Sequence, residues 1–502
     1  MKYMRFLLIT AGLLTLCKPG YAQKLTRINL IKADSMVFRK ALGPDLRRVI
    51  GHVAFEHDGA FLYCDSAYFF ETSNNVEAFG KIHIKVSDTL NIYGDKLIYT
   101  GNTKIANLSG KVKMVDKQTT LLTDQLTYDR NSENAFYSNS ANITSGENKL
   151  TSIRGYYFTT KKEFFFKDKV VLTNPKYVIN SDTLLYNTLS KIAYFKGPST
   201  IKGEENIIYC ENGWYNTAND KSEFRKNAWL KNKDQKLSGD ILYYDRLNGI
   251  GKAIHNITLH DSARQLTILG NLADFFEKDG YSRVTDSAQA ILYDNKDSLF
   301  LHADTLYGTF DSLRNLQMLY AFHSVRFYRD DLQGLCDSLV YNFADSTLSL
   351  RKSPVLWSGE NQLFADSIRM WMTNKEADSM MLYNTSFIIS KARDDKYNQI
   401  KGKNMTGYFR ENELYKVKVL SNAETIYFVD EDNGKPIGVN YATSSELEIF
   451  IRDKQVYRIK YIGKPQESLK PEKAVKPQEL ILRGFEWKED LRPKDRLDIF
   501  SR

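Results

Sequence analysis

The sequence predicts an all-β chain built as a stack of about twelve rungs, each about 30 residues long and made of two strands. The first observation is a recurring phrase: a small residue, an acid, an aliphatic two positions later and an aromatic two further on. It stands as Ala33-Asp34-Ser35-Met36-Val37-Phe38, Gly94-Asp95-Lys96-Leu97-Ile98-Tyr99, Thr123-Asp124-Gln125-Leu126-Thr127-Tyr128 and Ser181-Asp182-Thr183-Leu184-Leu185-Tyr186. The acidic position falls at 34, 65, 95, 124, 153, 182, 211, 240, 274, 304, 337 and 366, with Ile153 and Glu211 as departures. A fixed period of this length is the signature of a repeat architecture. The second observation is a phase-locked companion row, Ile82, Val112, Ala141, Val170, Ser199, Ala228 and Ile257, most of which lead short alternating runs such as Gly80-Lys81-Ile82-His83-Ile84. Alternation of apolar and polar residues between polar turns reads as strand. The third is composition: Tyr, Phe, Val, Ile and Thr are plentiful, and prolines are scarce before the last 40 residues.

Each rung then supplies one strand to each of two facing sheets. Apolar parity slips near the acidic mark, from Leu90 and Ile92 to Leu97 and Tyr99. Such a slip requires a bulge or corner, for which Gly94-Asp95 is suited. The repeated Asp is expected to be a corner residue whose carboxylate accepts backbone N–H groups, rather than a row of metal ligands. No helical periodicity supports leucine-rich, ankyrin or tetratricopeptide units.

Residues 1–22 have the form of a secretion signal: Lys2 and Arg5, an apolar run from Phe6 to Leu16, and Gly20-Tyr21-Ala22 before Gln23. Leu16 occupies the place where a lipoprotein signal centred on Cys17 requires a small residue. The formal charge of +9 falls to +6 without Lys2, Arg5 and Lys18. That bias is too weak for a nucleic-acid partner, and it suits phosphates or an anionic membrane surface. Cys64, Cys210 and Cys336 each hold the small position before the acidic mark, on rungs two, seven and eleven. Strands spaced about 4.8 Å apart would separate them beyond disulfide reach, so they read as packing residues. The repeat is strict over 23–255 and irregular over 256–462. Pro465, Pro471, Pro477 and Pro493, interleaved with Lys and Glu, mark 463–502 as an extended tail.

The candidate functional residues share one phase of the repeat. Leu97, Tyr99, Leu126, Tyr128, Leu184, Tyr186, Leu242 and Tyr244 would align into stripes. They form either a dry core between closed sheets or the wall of an apolar groove. Opened along one seam, stripes of this length would expose roughly 2,400 Å² against a few hundred on a typical monomer, so a groove needs an apolar occupant. Catalytic signals are thin. The seven histidines form no zinc motif, Gly249-Ile250-Gly251-Lys252 is only a fragment of a phosphate loop, and no nucleophile elbow is present. No cofactor and no metal are expected.

The alternation of a Gly-x-Val-x-Ile arm with an Ala-Asp-x-Leu-x-Tyr arm resembles the OstA-like repeat of lipopolysaccharide-transport proteins. That group comprises the LptA-type periplasmic bridge proteins and the periplasmic N-terminal domain of LptD. The resemblance rests on Ala33-Asp34-Ser35-Met36-Val37-Phe38, Gly80-Lys81-Ile82-His83-Ile84, Gly110-Lys111-Val112-Lys113-Met114 and Ala365-Asp366-Ser367-Ile368, and covers about residues 30 to 390. It implies an elongated open β-jellyroll, or β-taco, whose interior holds the lipid A acyl chains of lipopolysaccharide. It further implies a non-enzymatic periplasmic protein of outer-membrane assembly, stacked end to end with other jellyroll-bearing transport proteins. Two other readings compete. One is an outer-membrane β-barrel or surface scaffold. The other is a polysaccharide-degrading β-solenoid enzyme, for which the insertion with Asp279, Asp286, Asp294 and Asp297 is the candidate acid cluster.

Overall fold

The computed structural model describes residues 26–38, 43, 45–293, 297–373, 376–411, 413–431, 435–452 and 455–501. The expected secretion signal, 1–22, lies outside them. The described chain is almost entirely strand, and neighbouring strands pair antiparallel. It divides into two compact units, residues 1–167 and 168–502, whereas the change in regularity read from the sequence falls at 255.

Unit 1 begins with two short strands, β1 (Asn29–Lys32) and β2 (Ser35–Phe38), both paired with β3 (Leu46–His57). A meander follows: β4 (Ala60–Phe70), β5 (Asn75–Lys85), β6 (Leu90–Thr100), β7 (Ile105–Asp116) and β8 (Thr119–Asp129). Each of these long strands is bent at its middle, so that its two halves lie in two facing sheets. We call the half that contains Val53, Leu62, Ile84, Ile92 and Met114 the first arm. The half that contains Ala67, Ala78, Leu97, Leu108 and Leu126 is the second arm. All ten of these side chains are buried, and they fill the space between the arms.

The bend has a repeated local cause. At each corner the ladder slips: Phe79 pairs with Lys96, then Ile82 with Gly94, so that Gly80 and Lys81 face the single residue Asp95. The extra residue sits in a pair of consecutive left-handed conformations, Gly51-His52, Gly80-Lys81 and Gly110-Lys111, which a β-bulge tolerates and a flat strand does not. The bulge therefore lies on the strand opposite the acid, not at Gly94-Asp95 itself. In these early rungs glycine is required at the first bulge position for two reasons. Its φ is +75° at Gly80 and +78° at Gly110, and a Cβ there would lie 2.5 Å and 2.8 Å from the carboxylates of Asp65 and Asp95.

Where backbone N–H groups are expected from sequence, several corner acids are met by side chains of the facing bulge. His52 Nδ1 lies 2.7 Å from Asp34, and Lys81 Nζ lies 3.8 Å from Asp65. In unit 2, Asn256 donates to Asp240 at 2.9 Å and Asn227 to Glu211 at 2.8 Å. The Ser338 hydroxyl and then Lys352 hold the Asp337 carboxyl down at about 2.

Unit 2 repeats the scheme through the hairpins from Tyr177–Asn187 to Gln455–Ile462. Its interior cluster runs from Leu266 through Leu306, Phe327, Leu350 and Leu382 to Ile449. A second cluster, Phe387, Ile389, Ile426, Phe428 and Val439, alternates with it along the same strands and so occupies the outward face. Residues from the 463–501 stretch cover that face. The strand Gln466–Lys470 pairs with Pro436–Arg452, and Leu482 and Ile499 are buried. Outward-facing glutamines hold this strap by its backbone. Gln399 donates to the Leu480 carbonyl at 2.9 Å and accepts from the Leu482 N–H at 2.8 Å. Gln362 does the same with the Glu486 carbonyl, at 2.6 Å, and the Lys488 N–H, at 2.7 Å.

The corner makes a direct prediction. Gly59 has φ +76° with nothing within 4 Å of an added Cβ, so Gly59→Ala should cost only the left-handed penalty, about 1 kcal/mol. Gly80→Ala should cost about 2–3 kcal/mol in urea unfolding, because the new methyl must also displace Asp65. Adding Asp65→Ala should return the loss to the Gly59 level.

Candidate functional site

The phase-locked Leu–Tyr pairs sit on the second arm, the tyrosine at the last inward position before the turn. In unit 1, Leu97, Tyr99, Leu126 and Tyr128 are all buried between the arms. In unit 2, Leu184, Tyr186 and Leu242 are buried and Tyr244 is half-buried. The structure thus brings Leu97, Tyr99 and Tyr128 to one cavity in unit 1, whereas in unit 2 the pair Leu184 and Tyr186 lies four strands along the sheet from Leu242 and Tyr244. In unit 1 the arms are packed against each other, and they leave a cavity of about 30 Å³ lined by Leu62, Ile84, Leu97, Tyr99, Tyr128 and Arg130, among others. The wall is apolar everywhere except at its mouth, the edge opposite the corners, where the turns of the two arms meet.

The tyrosine hydroxyls end at this mouth, as a ring with one polar atom favours a boundary between dry and wet regions. Tyr99 Oη lies 2.7 Å from His57 Nδ1, and Arg130 donates to it at 3.3 Å. Tyr128 meets Thr159 and Tyr186 meets Thr217. Tyr244 donates to Glu277 at 2.6 Å. Burial pushes the Tyr99, Tyr128 and Tyr186 hydroxyls above the ordinary phenol range.

Charged side chains lace the mouth of unit 1 from arm to arm. Lys104, in a second-arm turn, pairs with Asp58, in a first-arm turn, at 2.5 Å. Arg130 reaches across to the carbonyls of His57 at 2.8 Å and Asp58 at 3.0 Å. Lys162 pairs with Asp116 at 2.6 Å, and Tyr157 donates to the same carboxylate oxygen at 2.6 Å. The Asp116 side chain is only 2% exposed, and its Oδ1 has no hydrogen-bond partner. A buried carboxylate oxygen with nothing to accept from is unusual.

None of these mouth charges was singled out by sequence reasoning, yet a signal was there. The fourth and last residue of each of these second-arm turns is left-handed: Asn74, Lys104, Glu133, Lys162, Lys191, Asp220 and Gly249. They recur every 29 or 30 residues, a third row in phase with the other two. It escapes a search for apolar pattern because its residues share a backbone conformation and not a chemistry.

The acids of the 278–297 insertion do not converge among the described residues. Asp286 is a left-handed corner residue, Asp297 accepts from the N–H groups of Ser298 and Asp330, and Asp279 lies in a turn. Asp294 is outside the described residues. Asp279 does line an open polar cleft of about 450 Å³ in unit 2, where Arg246, Lys278 and Arg314 balance Glu277, Asp279 and Asp311. Among the described residues, no group of three or more His, Cys, Asp or Glu is placed to hold a metal ion. Cys64, Cys210 and Cys336 are free and buried.

Residues 25–182 and 180–240 match the family described as OstA-like protein. A comparison with curated proteins gives no match. Among solved structures, that of LptH from Pseudomonas aeruginosa, titled the LptA-homologous periplasmic component of the lipopolysaccharide transport device, aligns at 12% identity. The alignment covers 28% of this chain and 95% of the other, with a TM-score of 0.22.

Two expectations follow from the site. Burial holds the three thiols up at about 12, so none should react with a disulfide reagent at pH 8 in the folded protein, and all three should react in guanidinium. The second concerns acid. Burial holds His57 below its ordinary 6.5, and the Lys104 hydrogen bond holds Asp58 below 3.8. For Asp116 burial acts upward, but Lys162 and Tyr157 outweigh it and the net direction is down. A folded value below the unfolded one gives stability that is present above the ordinary value and lost as pH falls through the folded one. Amide exchange in the turns at 57–60 and 101–104, corrected for intrinsic rate, should therefore quicken below pH 6.5 and again below pH 4. His57→Gln should abolish the first step alone.

Proposed function

We propose that this is a non-catalytic periplasmic protein of outer-membrane assembly that carries lipopolysaccharide, the interior between the arms taking the lipid A acyl chains. The OstA-like match gives the class. The observation that carries the reading is the inward Leu–Tyr pairs of the second arms, which recur within each unit and in unit 1 end at a polar mouth. On this reading Leu97, Tyr99, Leu126, Tyr128, Leu184, Tyr186, Leu242 and Tyr244 lie on the lipid path. Acyl chains would gain about 25 cal/mol for each Å² removed from water, so no covalent step is needed to hold them. The packed interior is then the unloaded state, and lipid enters by parting the arms at the mouth.

The partners follow from the ends of the sheet. Met36, Val37 and Phe38 on β2 are well exposed, and β1 and β2 pair only with β3 among the described strands. An exposed strand edge with apolar side chains is a template for another strand. We read it as the place where another jellyroll-bearing transport protein adds end to end on the way to the outer membrane. A leader at 1–22 would deliver the chain to the periplasm. The barrel alternative is disfavoured by the outward positions of unit 1: Lys81, Lys111 and Lys113 are exposed on successive odd strands, where a lipid-facing wall would be apolar.

The test is photo-crosslinking in intact cells. A photoreactive residue at Leu126 or Leu184 should capture lipopolysaccharide, while one at Lys111 or Lys113 should not. Equal labelling of both sets, or labelling of neither in folded, exported protein, would make the stripes a closed core and end the transport reading.

A further inference from the structure

Across the mouth of unit 1, three cations of the second arm are bound to oxygens of the first. Their partners differ in quality. Lys104 has a carboxylate, Asp58, that is itself partly exposed. Arg130 has only uncharged oxygens, the His57 and Asp58 carbonyls and the Tyr99 hydroxyl. Lys162 shares one oxygen of Asp116 with Tyr157 while the other oxygen is left without a donor inside the protein. A guanidinium offers five N–H donors in a planar fork suited to a carboxylate or phosphate, and here it engages only uncharged oxygens. A buried carboxylate with an orphaned oxygen is likewise an arrangement with better alternatives. Both stand beside the same apolar interior, and Arg130 is part of the wall of the cavity that holds Leu97, Tyr99 and Tyr128.

We propose that Lys104, Arg130 and Lys162 form the seat for a phosphorylated lipid headgroup, with Asp58 and Asp116 as its intramolecular placeholders. The inference rests on the reading that the interior takes acyl chains, and adds the chemistry of the end that stays outside. When the chain enters, the headgroup phosphate replaces the carboxylates on the two lysines and gives Arg130 the anion it lacks. Charge-assisted contacts of this kind are about twice as strong as neutral ones. The exchange also unlaces the arms, because the same cations that would bind the phosphate hold the mouth closed. Asp58 and Asp116, released, turn to solvent, and Asp116 leaves an environment in which one of its oxygens was unpaired. Binding and opening are then one event. An uncharged amphiphile of the same chain length would have to break the clasps with nothing to replace them.

The test compares two probes on the mature chain by titration calorimetry: lysophosphatidic acid and a monoacylglycerol of the same chain, both below micelle formation. Inorganic phosphate alone is the third arm. The phosphorylated probe should bind at least tenfold tighter than the uncharged one. In D58N/K104Q/D116N/K162Q, which removes the charges in pairs so that none is stranded, the preference should fall below threefold. Arg130→Gln, which strands no carboxylate, should reduce it severalfold and serves if the fourfold variant does not fold. If the native chain binds both probes alike, or the variants keep the native preference, the headgroup seat is overturned and the acyl path stands. If inorganic phosphate binds as tightly as the phosphorylated probe, the site is one for free anions, which also overturns it. If neither amphiphile binds the native chain, the acyl path itself is wrong and the seat falls with it.

Discussion

Everything in this fold depends on a steric quarrel at the corner, between a carboxylate and the residue that faces it. A strand that must turn from one sheet into the next needs an extra residue on one side. That residue is accommodated only in left-handed backbone, and in the early rungs only where no Cβ meets the acid. Gly51, Gly80 and Gly110 satisfy both demands against Asp34, Asp65 and Asp95. Once the corner is placed, parity does the rest. Inward positions on both sides of the bend are apolar, the arms face each other, and the last inward residue of each second arm must end at the mouth. Later rungs solve the same problem with Lys226-Asn227, His255-Asn256 and Asn384-Thr385. Non-glycine residues carry strain there, and their side chains return hydrogen bonds to the acid.

Much of this was legible because the signal was periodic. The acid row, the companion row and the Leu–Tyr stripes could be read from spacing, and with them an all-β stack of antiparallel rungs. The identity of the bulged strand was not legible. Gly94-Asp95 and Gly110-Lys111 are equally good bulge sequences, and only the ladder shows that the extra residue belongs to the second. The inward placement of Leu97 and Tyr99 followed from parity alone. Whether the wall they form is parted or packed is a matter of tertiary balance, on which a period is silent. The mouth charges were illegible for a different reason: Lys104, Arg130 and Lys162 pair with residues 31 to 73 positions away. They share no one-letter pattern.

The apolar outward cluster of unit 2 shows where pattern reading meets its limit. Phe387 and Ile389 alternate with Ile388 so that both faces of one strand are apolar. Such a run reads as a strand buried on both sides, and what covers the second side is a stretch whose composition suggests a loose tail. Pro and Lys there do not prevent docking, since Gln362 and Gln399 hold the strap by its main chain and a few apolar side chains anchor it. Its side chains contribute at a few points, Leu482 and Ile499 above all.

That manner of holding decides which changes the strap can absorb. Gln362 and Gln399 grip amide groups that every residue but one possesses, so apart from the anchors Leu480, Leu482, Phe485 and Trp487 the segment to Lys488 is free to drift in side chain so long as its chain direction and spacing persist. Recognition of this kind is indifferent to identity and strict about geometry. Leu482 and Lys488 each lend an N–H to a buried glutamine, and proline has none to lend. The strap therefore carries a hidden grammar: prolines are welcome at 471, 477 and 493 and excluded at 482 and 488, although nothing in the composition of the segment distinguishes those places.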